Sequence, residues 1–257
     1  MPGELTPSFE PSRWVKAINQ SDLEPYRHNA ITHIEYLHEG YADGNKDLFA
    51  SRKLTRPASP IQRTHDIHKY HVERGCGMIA YNYTVAPNGE IVKARPLDFA
   101  PTVRSTDSKT WQIANFSGHF AVVALADFDF EPVEERQEQV FSMVKVMSLA
   151  QRAFRIPSTD IRPHKDRVAC NGEFGSTCSG RNLYSERTKI REMTLAMSIQ
   201  SELADRGCYG GEVDGLFGPV STLALGKFSN ANESLEPLAF NDAALWEIED
   251  SPDSICL

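Results

Sequence analysis

The chain has 257 residues, 40% of them hydrophobic and 24% charged, with a formal net charge of −8. That length suits one large domain, or a medium domain with a small one, and it can bury a sizeable core. The acidic balance argues against bulk binding to nucleic acid while leaving room for a local basic groove, and no apolar run approaches the roughly 20 residues of a membrane span.

Residues 1–29 read as a polar, proline-containing N-terminal arm. The start, "MPGELTPSFEPSRWVKAINQ", lacks the charged head and apolar core of a secretory signal. The expectation is synthesis in the cytoplasm, with any action elsewhere following release or delivery. "AITHIEYLHEG", residues 30–40, reads as a strand running into a Gly-containing loop, and 41–60 as a long polar loop. "IQRTHDIHKYHVERG" predicts a helix ended by Gly75. Its His65, His68 and His71 resemble a metal cluster, but 65 and 71 lie well off one face at about 100° per residue, so packing or hydrogen bonding is the expected role.

"MIAYNYTVAPNGEIVKARPL" predicts two strands joined at Pro87-Asn88-Gly89, and "HFAVVALADFD" a further strand. Residues 131–154 carry apolar residues at helical spacing, with glutamates at the start and Arg152 and Arg155 at the end, as the macrodipole favours. Pro157 stops that helix. "IRPHKDRVACNGEFGSTCSG" follows as a loop, then a polar linker over 181–192, a helical unit from 193, and a partly solvated acidic tail after 230. Five cysteines, at 76, 170, 178, 208 and 256, form no even, close-spaced framework, so reduced thiols are expected, with one of them suited to a metal.

Zinc sites use Cys, His and carboxylate donors, and a catalytic site keeps three protein ligands and a water. His164 and Cys178 share the loop. His38, at the end of the first strand, is the first choice for a third donor. His33 is its rival, on the opposite face of the same strand by period-two geometry, so only one of them can point at a given metal.

In order along the chain, His71, Arg74-Gly75, Tyr81-Asn82, Asn88-Gly89 and Arg95, then His164, Lys165-Asp166, Cys178, Gly180 and Leu183, resemble the zinc-dependent N-acetylmuramoyl-L-alanine amidases of the type 2 class. That class includes phage lysozyme-like amidases and peptidoglycan recognition proteins. Here "CSG" stands where the family usually has "CPG", which implies a less rigid turn. "SIQSELADRGCYGGEVDGLFGPVSTLALGKFS" resembles the small helical peptidoglycan-binding module through Gln200, Leu203, Gly207, Tyr209, Gly211, Asp214-Gly215, Phe217-Gly218, Ala224 and Phe228.

These resemblances imply an α/β fold, a central mixed β-sheet flanked by helices, with a small C-terminal three-helix module. They imply an arm at 1–29, a zinc amidase domain at 30–190 and a binding module at 193–250. The ligands implied for Zn²⁺ are His38, His164 and Cys178, with His33 as the alternative to His38. Tyr81 would stabilise an oxyanion or position water. Ser176 stands where some members have a Lys, so it can supply only a neutral hydrogen bond. Asn82, Arg95, Tyr209 and Asp214 would contact peptidoglycan. The implied activity is hydrolysis of the bond between N-acetylmuramic acid and L-alanine in the wall, endolysin- or toxin-like. The alternatives are a non-catalytic peptidoglycan receptor and a cytoplasmic amidase recycling soluble muropeptides. Receptors of this family commonly lack the Cys ligand, so Cys178 favours the enzyme. Nothing in the sequence indicates an oligomeric state.

Overall fold

The computed structural model describes residues 31–40, 59–73, 78–97, 102–104, 113–115, 118–166, 179–232, 238–252 and 256. Two strands of six residues, β1 (His33–His38) and β6 (His119–Ala124), run parallel with His33 opposite His119 and His38 opposite Ala124. Both are almost wholly buried. A strand covered on both faces has no call for polar side chains, and β6 is apolar after its first residue. β1 instead carries His33, Glu35 and His38 among its apolar residues, and each of these polar groups has to find a partner.

The sheet has the order β3-β2-β6-β1-β7. β2 (Tyr83–Val85) lies parallel to β6 and antiparallel to β3 (Ile91–Lys93). The expected hairpin turn is present. Gly89 has φ +79°, and Asn88 Oδ1 accepts the N–H of Glu90 at 3.2 Å. β7 (Ile161–Pro163) closes the order beside β1. The result is a mixed sheet in an α/β architecture, as the sequence implied. A separate antiparallel pair, β4 (Thr102–Arg104) with β5 (Ile113–Asn115), was not anticipated, because three-residue strands show no periodicity to read.

Helix α1 (Pro60–Glu73) meets β2 through the Thr64–Thr84 hydroxyl pair at 2.6 Å. Its His68 and His71 accept the backbone N–H groups of Ile79 (3.3 Å) and Ala80 (3.1 Å) on Nδ1. The histidines on this helix therefore act as hydrogen-bonding residues. The helix expected over 131–154 opens as a 3₁₀ turn (Val133–Arg136) and continues as α2 (Gln137–Phe154). Gln139 Nε2 donates to Val85 O at 2.7 Å. Among the described residues no helix is long and apolar enough to cross a membrane.

The described residues divide into two compact units. One comprises those up to Met143 with Arg162–Glu186, and the other Val144–Ile161 with the residues from Arg187 onward. Three sequence expectations are corrected within 181–256. The stretch read as a polar linker is helical: α3 (Arg181–Ser185) is followed at once by α4 (Arg187–Asp205), because Ile190 supplies a buried anchor among charged neighbours. The acidic tail contains α6 (Asp242–Asp250), whose Ala244, Leu245 and Ile248 are buried with Leu203 of α4 and Phe228 of α5 (Pro219–Ala231). Asn241 caps α6 by accepting the N–H of Ala244 at 2.9 Å. Finally, Cys208 and Cys256 form a disulfide where free thiols were expected. Their separation of 48 residues hid the pairing.

Candidate functional site

Side chains alternate along β1, so His33, Glu35 and Leu37 share one face and Ile34, Tyr36 and His38 the other. The register carries this across β6: His119, Ala121 and Val123 lie beside the first set. Leu37, Ala121 and Val123 form a buried cluster, and the Tyr81 ring packs against it. Tyr81 also meets the His71 ring edge-on, with centroids 5.3 Å apart.

On that face Glu35 is completely buried, yet it is ionised. Burial pushes its pKa up, but hydrogen bonds from His119 and His164, with their charge, outweigh burial and hold it at about 2. His119 Nδ1 donates to Oε2 at 2.9 Å, and His164 Nδ1 makes a short contact with Oε1. His164 opens the 3₁₀ turn His164–Asp166 directly after β7. His33 stacks flat on His119, with centroids 5.2 Å apart and planes 4° from parallel. Three histidines from three segments are thus gathered on one side of the sheet around a single carboxylate.

His38 does not join them. It lies on the opposite face, where Nδ1 accepts the N–H of Phe128 at 3.1 Å and the ring closes over Gly40. Burial depresses its pKa to about 4, against the raising fields of Asp129 and Glu131. This is the setting of a neutral structural histidine. His38 pins the end of β1 to the loop after β6. That loop in turn holds the segment at 180: Asn182 N donates to Phe128 O (2.9 Å), and Arg181 N to Asp129 Oδ1 (2.9 Å).

Other motif residues also acquire structural duties. Gly180 has φ +74°, and a Cβ there would come within 2.5 Å of Phe128, so only glycine fits. Ser179 has φ +97° and donates from Oγ to Tyr36 O at 3.0 Å. A proline, locked near φ −65°, cannot adopt that backbone. The serine in "CSG" thus sits in a turn held to β1 by a hydrogen bond. Lys165 and Asp166 hold Tyr184, the ammonium 4.8 Å from the ring centre and the carboxylate accepting from the hydroxyl at 3.0 Å.

Asn82 and Arg95, expected to contact substrate, are buried and bonded to backbone. Asn82 Oδ1 accepts from Ala121 N at 2.8 Å and its Nδ2 donates to Arg95 O at 3.4 Å. The Arg95 guanidinium donates to Ile79 O at 3.0 Å. Tyr209 and Asp214 belong to a network around the fully buried Gln200. Its Nε2 lies 3.1 Å from Tyr209 Oη, 2.8 Å from Asp214 Oδ1 and 3.1 Å from Ser221 Oγ, and its Oε1 accepts from Gly215 N at 2.9 Å. The motif residues of this unit thus share one hydrogen-bond network centred on Gln200. The unit's exposed large apolar side chains among the described residues are Leu216, Val220 and Leu223.

Cys178 and Ser176 lie outside the described residues. Among the described residues no group of three donors is arranged to hold a metal ion. Of the expected set His38, His164 and Cys178, β1 places His38 on the face opposite Glu35, the carboxylate that His164 meets. Of the two strand histidines, only His33 shares the face of Glu35. Glu35 and His119 were missed. The available signal was a carboxylate in the middle of a strand whose neighbours are apolar, a position that demands a cationic or N–H partner.

No protein-family model matches the sequence, and no curated protein matches it. Solved structures similar to this chain include the N-acetylmuramoyl-L-alanine amidase LysC from Clostridium intestinale URNW. It is 19% identical over 65% of this chain and 89% of that chain, with a TM-score of 0.45. PGRP-Hd from Alvinella pompejana is 16% identical over 72% of this chain and 96% of that one, with a TM-score of 0.47. Drosophila PGRP-LB is 15% identical over 68% and 89%, with a TM-score of 0.45.

Proposed function

We propose that this protein hydrolyses the amide bond between N-acetylmuramic acid and L-alanine in peptidoglycan. The observation that carries the reading is His164. The motif histidine of the second half of the chain is buried at the end of β7, and Glu35 of β1 holds it beside His119 and His33. Tyr81, the motif tyrosine, packs on the same face. The order of the sequence motifs supports the same reading.

The activity is proposed to depend on zinc, with His164, Cys178 and His33 as donors, His33 replacing His38 because it shares the face of His164. Such an ion supplies carbonyl polarisation and a water of lowered pKa. The chain's own contribution is to hold the imidazoles on one face of the sheet and to offer the Tyr81 hydroxyl to a developing oxyanion. The helical unit after residue 187 adds effective concentration at the wall. A receptor without catalysis is the second reading, since the solved structures similar to this chain include peptidoglycan recognition proteins as well as amidases. The disulfide weighs against a recycling role in the reducing cytoplasm.

The test is digestion of sacculi by the full chain with zinc. New L-alanine amino groups, with no new reducing ends, are expected. Loss of that release on chelation and its return with zinc would support the metal. Binding to sacculi with no amino-group release would establish the receptor instead.

A further inference from the structure

We propose that Glu35 is the positioning residue of this site, a single buried carboxylate that fixes the tautomer of two histidines at once. This rests on the reading of the face of His164 as hydrolytic. Glu35 Oε2 takes the Nδ1 of His119 at 2.9 Å while Oε1 takes the Nδ1 of His164. A carboxylate accepts hydrogen bonds and offers no proton of its own. Each neutral imidazole must therefore carry its hydrogen on Nδ1, which makes Nε2 the lone-pair atom on both rings. Backbone geometry reinforces this. The parallel register places Glu35 beside Ala121, two residues from His119, and the side chain bridges to His164 across 129 positions of sequence. His33, stacked on His119, limits rotation of that ring. The completely buried carboxylate sits where no water competes for its oxygens, so the two imidazoles are its partners.

Glu35→Gln is close to isosteric but inverts half of the pattern. The amide oxygen accepts from one ring, while the NH₂ can only donate to the other. One of the two histidines must then move its proton to Nε2.

Long-range ¹⁵N–¹H correlation spectra of the full chain, in mildly alkaline buffer, read the tautomers directly. Both His119 and His164 should appear as Nδ1–H in the wild type, and one of them as Nε2–H in Glu35→Gln. Amino-group release from sacculi by the variant should fall by roughly 10–100-fold, as for other outer partners of functional histidines, with KM nearly unchanged. An Nε2–H tautomer for either ring in the wild type overturns the proposal, whether or not the variant folds. So does a folded Glu35→Gln protein with wild-type tautomers and rate. Nδ1–H on both rings in a wild-type protein that releases no amino groups upholds the double clamp and removes the hydrolytic reading of the face.

Discussion

His38 accepts the backbone N–H of Phe128 on Nδ1 at 3.1 Å, and that bond closes the end of β1 onto the loop after β6. His38→Ala leaves the Phe128 N–H buried and unpaired, at a cost of about 1–3 kcal/mol, and a cavity adds to it. Zinc content should not change. Urea denaturation beside metal analysis checks this; loss of stoichiometric zinc with unchanged stability would return His38 to the metal.

The same residue makes stability depend on pH. His38 titrates at about 4 in the fold and near 6.5 when unfolded, so its contribution is complete above pH 6.5 and is lost as pH falls toward 4. Glu35 has a folded pKa of about 2 against an ordinary 4.5, so its contribution is complete above 4.5 and is lost as pH falls toward 2. Urea midpoints should therefore decline in two successive windows. His38→Asn should flatten the upper one and Glu35→Gln the lower. A slope between pH 4 and 6.5 that is the same in His38→Asn as in the wild type would rule out this origin.

Ser179→Pro should destabilise this chain. It demands a negative φ where the backbone has +97°, and it removes the hydroxyl donated to Tyr36 O. The loss should exceed about 1 kcal/mol. A rise in Tm would mean that the turn readily adopts the other form.

Gln200→Leu should weaken the helical unit selectively. It keeps the size of the side chain but abandons the buried Gly215 N–H that the amide oxygen satisfies. About 1–3 kcal/mol is expected for each buried polar group left unpaired. Hydrogen exchange should quicken in α4 and α5, while amides of β1 and β6 keep their protection. Equal acceleration in both sets would show that the two units unfold together.

Cys256→Ser opens the loop closed across 48 residues. The chain-entropy relation puts the loss at about 4 kcal/mol for a loop of that length. The comparison is between oxidised wild type, reduced wild type and the variant, by thermal unfolding. Identical Tm values for all three would mean that the bond closes no entropy-rich loop.

Much of this architecture was legible along the chain. The buried strands announce themselves as apolar runs, Asn88-Gly89 marks the hairpin, and the stripe over 131–154 marks a long helix. Period two alone put His33 and His38 on opposite faces. Local chemistry of this kind is decided within a few residues by backbone geometry and needs no distant partner. What alternation does not tell is which face meets His164. That depends on sheet order, which brings β7 beside β1 and sets residues 35 and 164 within hydrogen-bonding distance. The same limit hid the disulfide between Cys208 and Cys256, the role of Gln200 as a hub and the structural use of Asn82 and Arg95. A buried polar group must find a partner, but the sequence states only the need; the fold chooses which backbone atom, carboxylate or ring meets it.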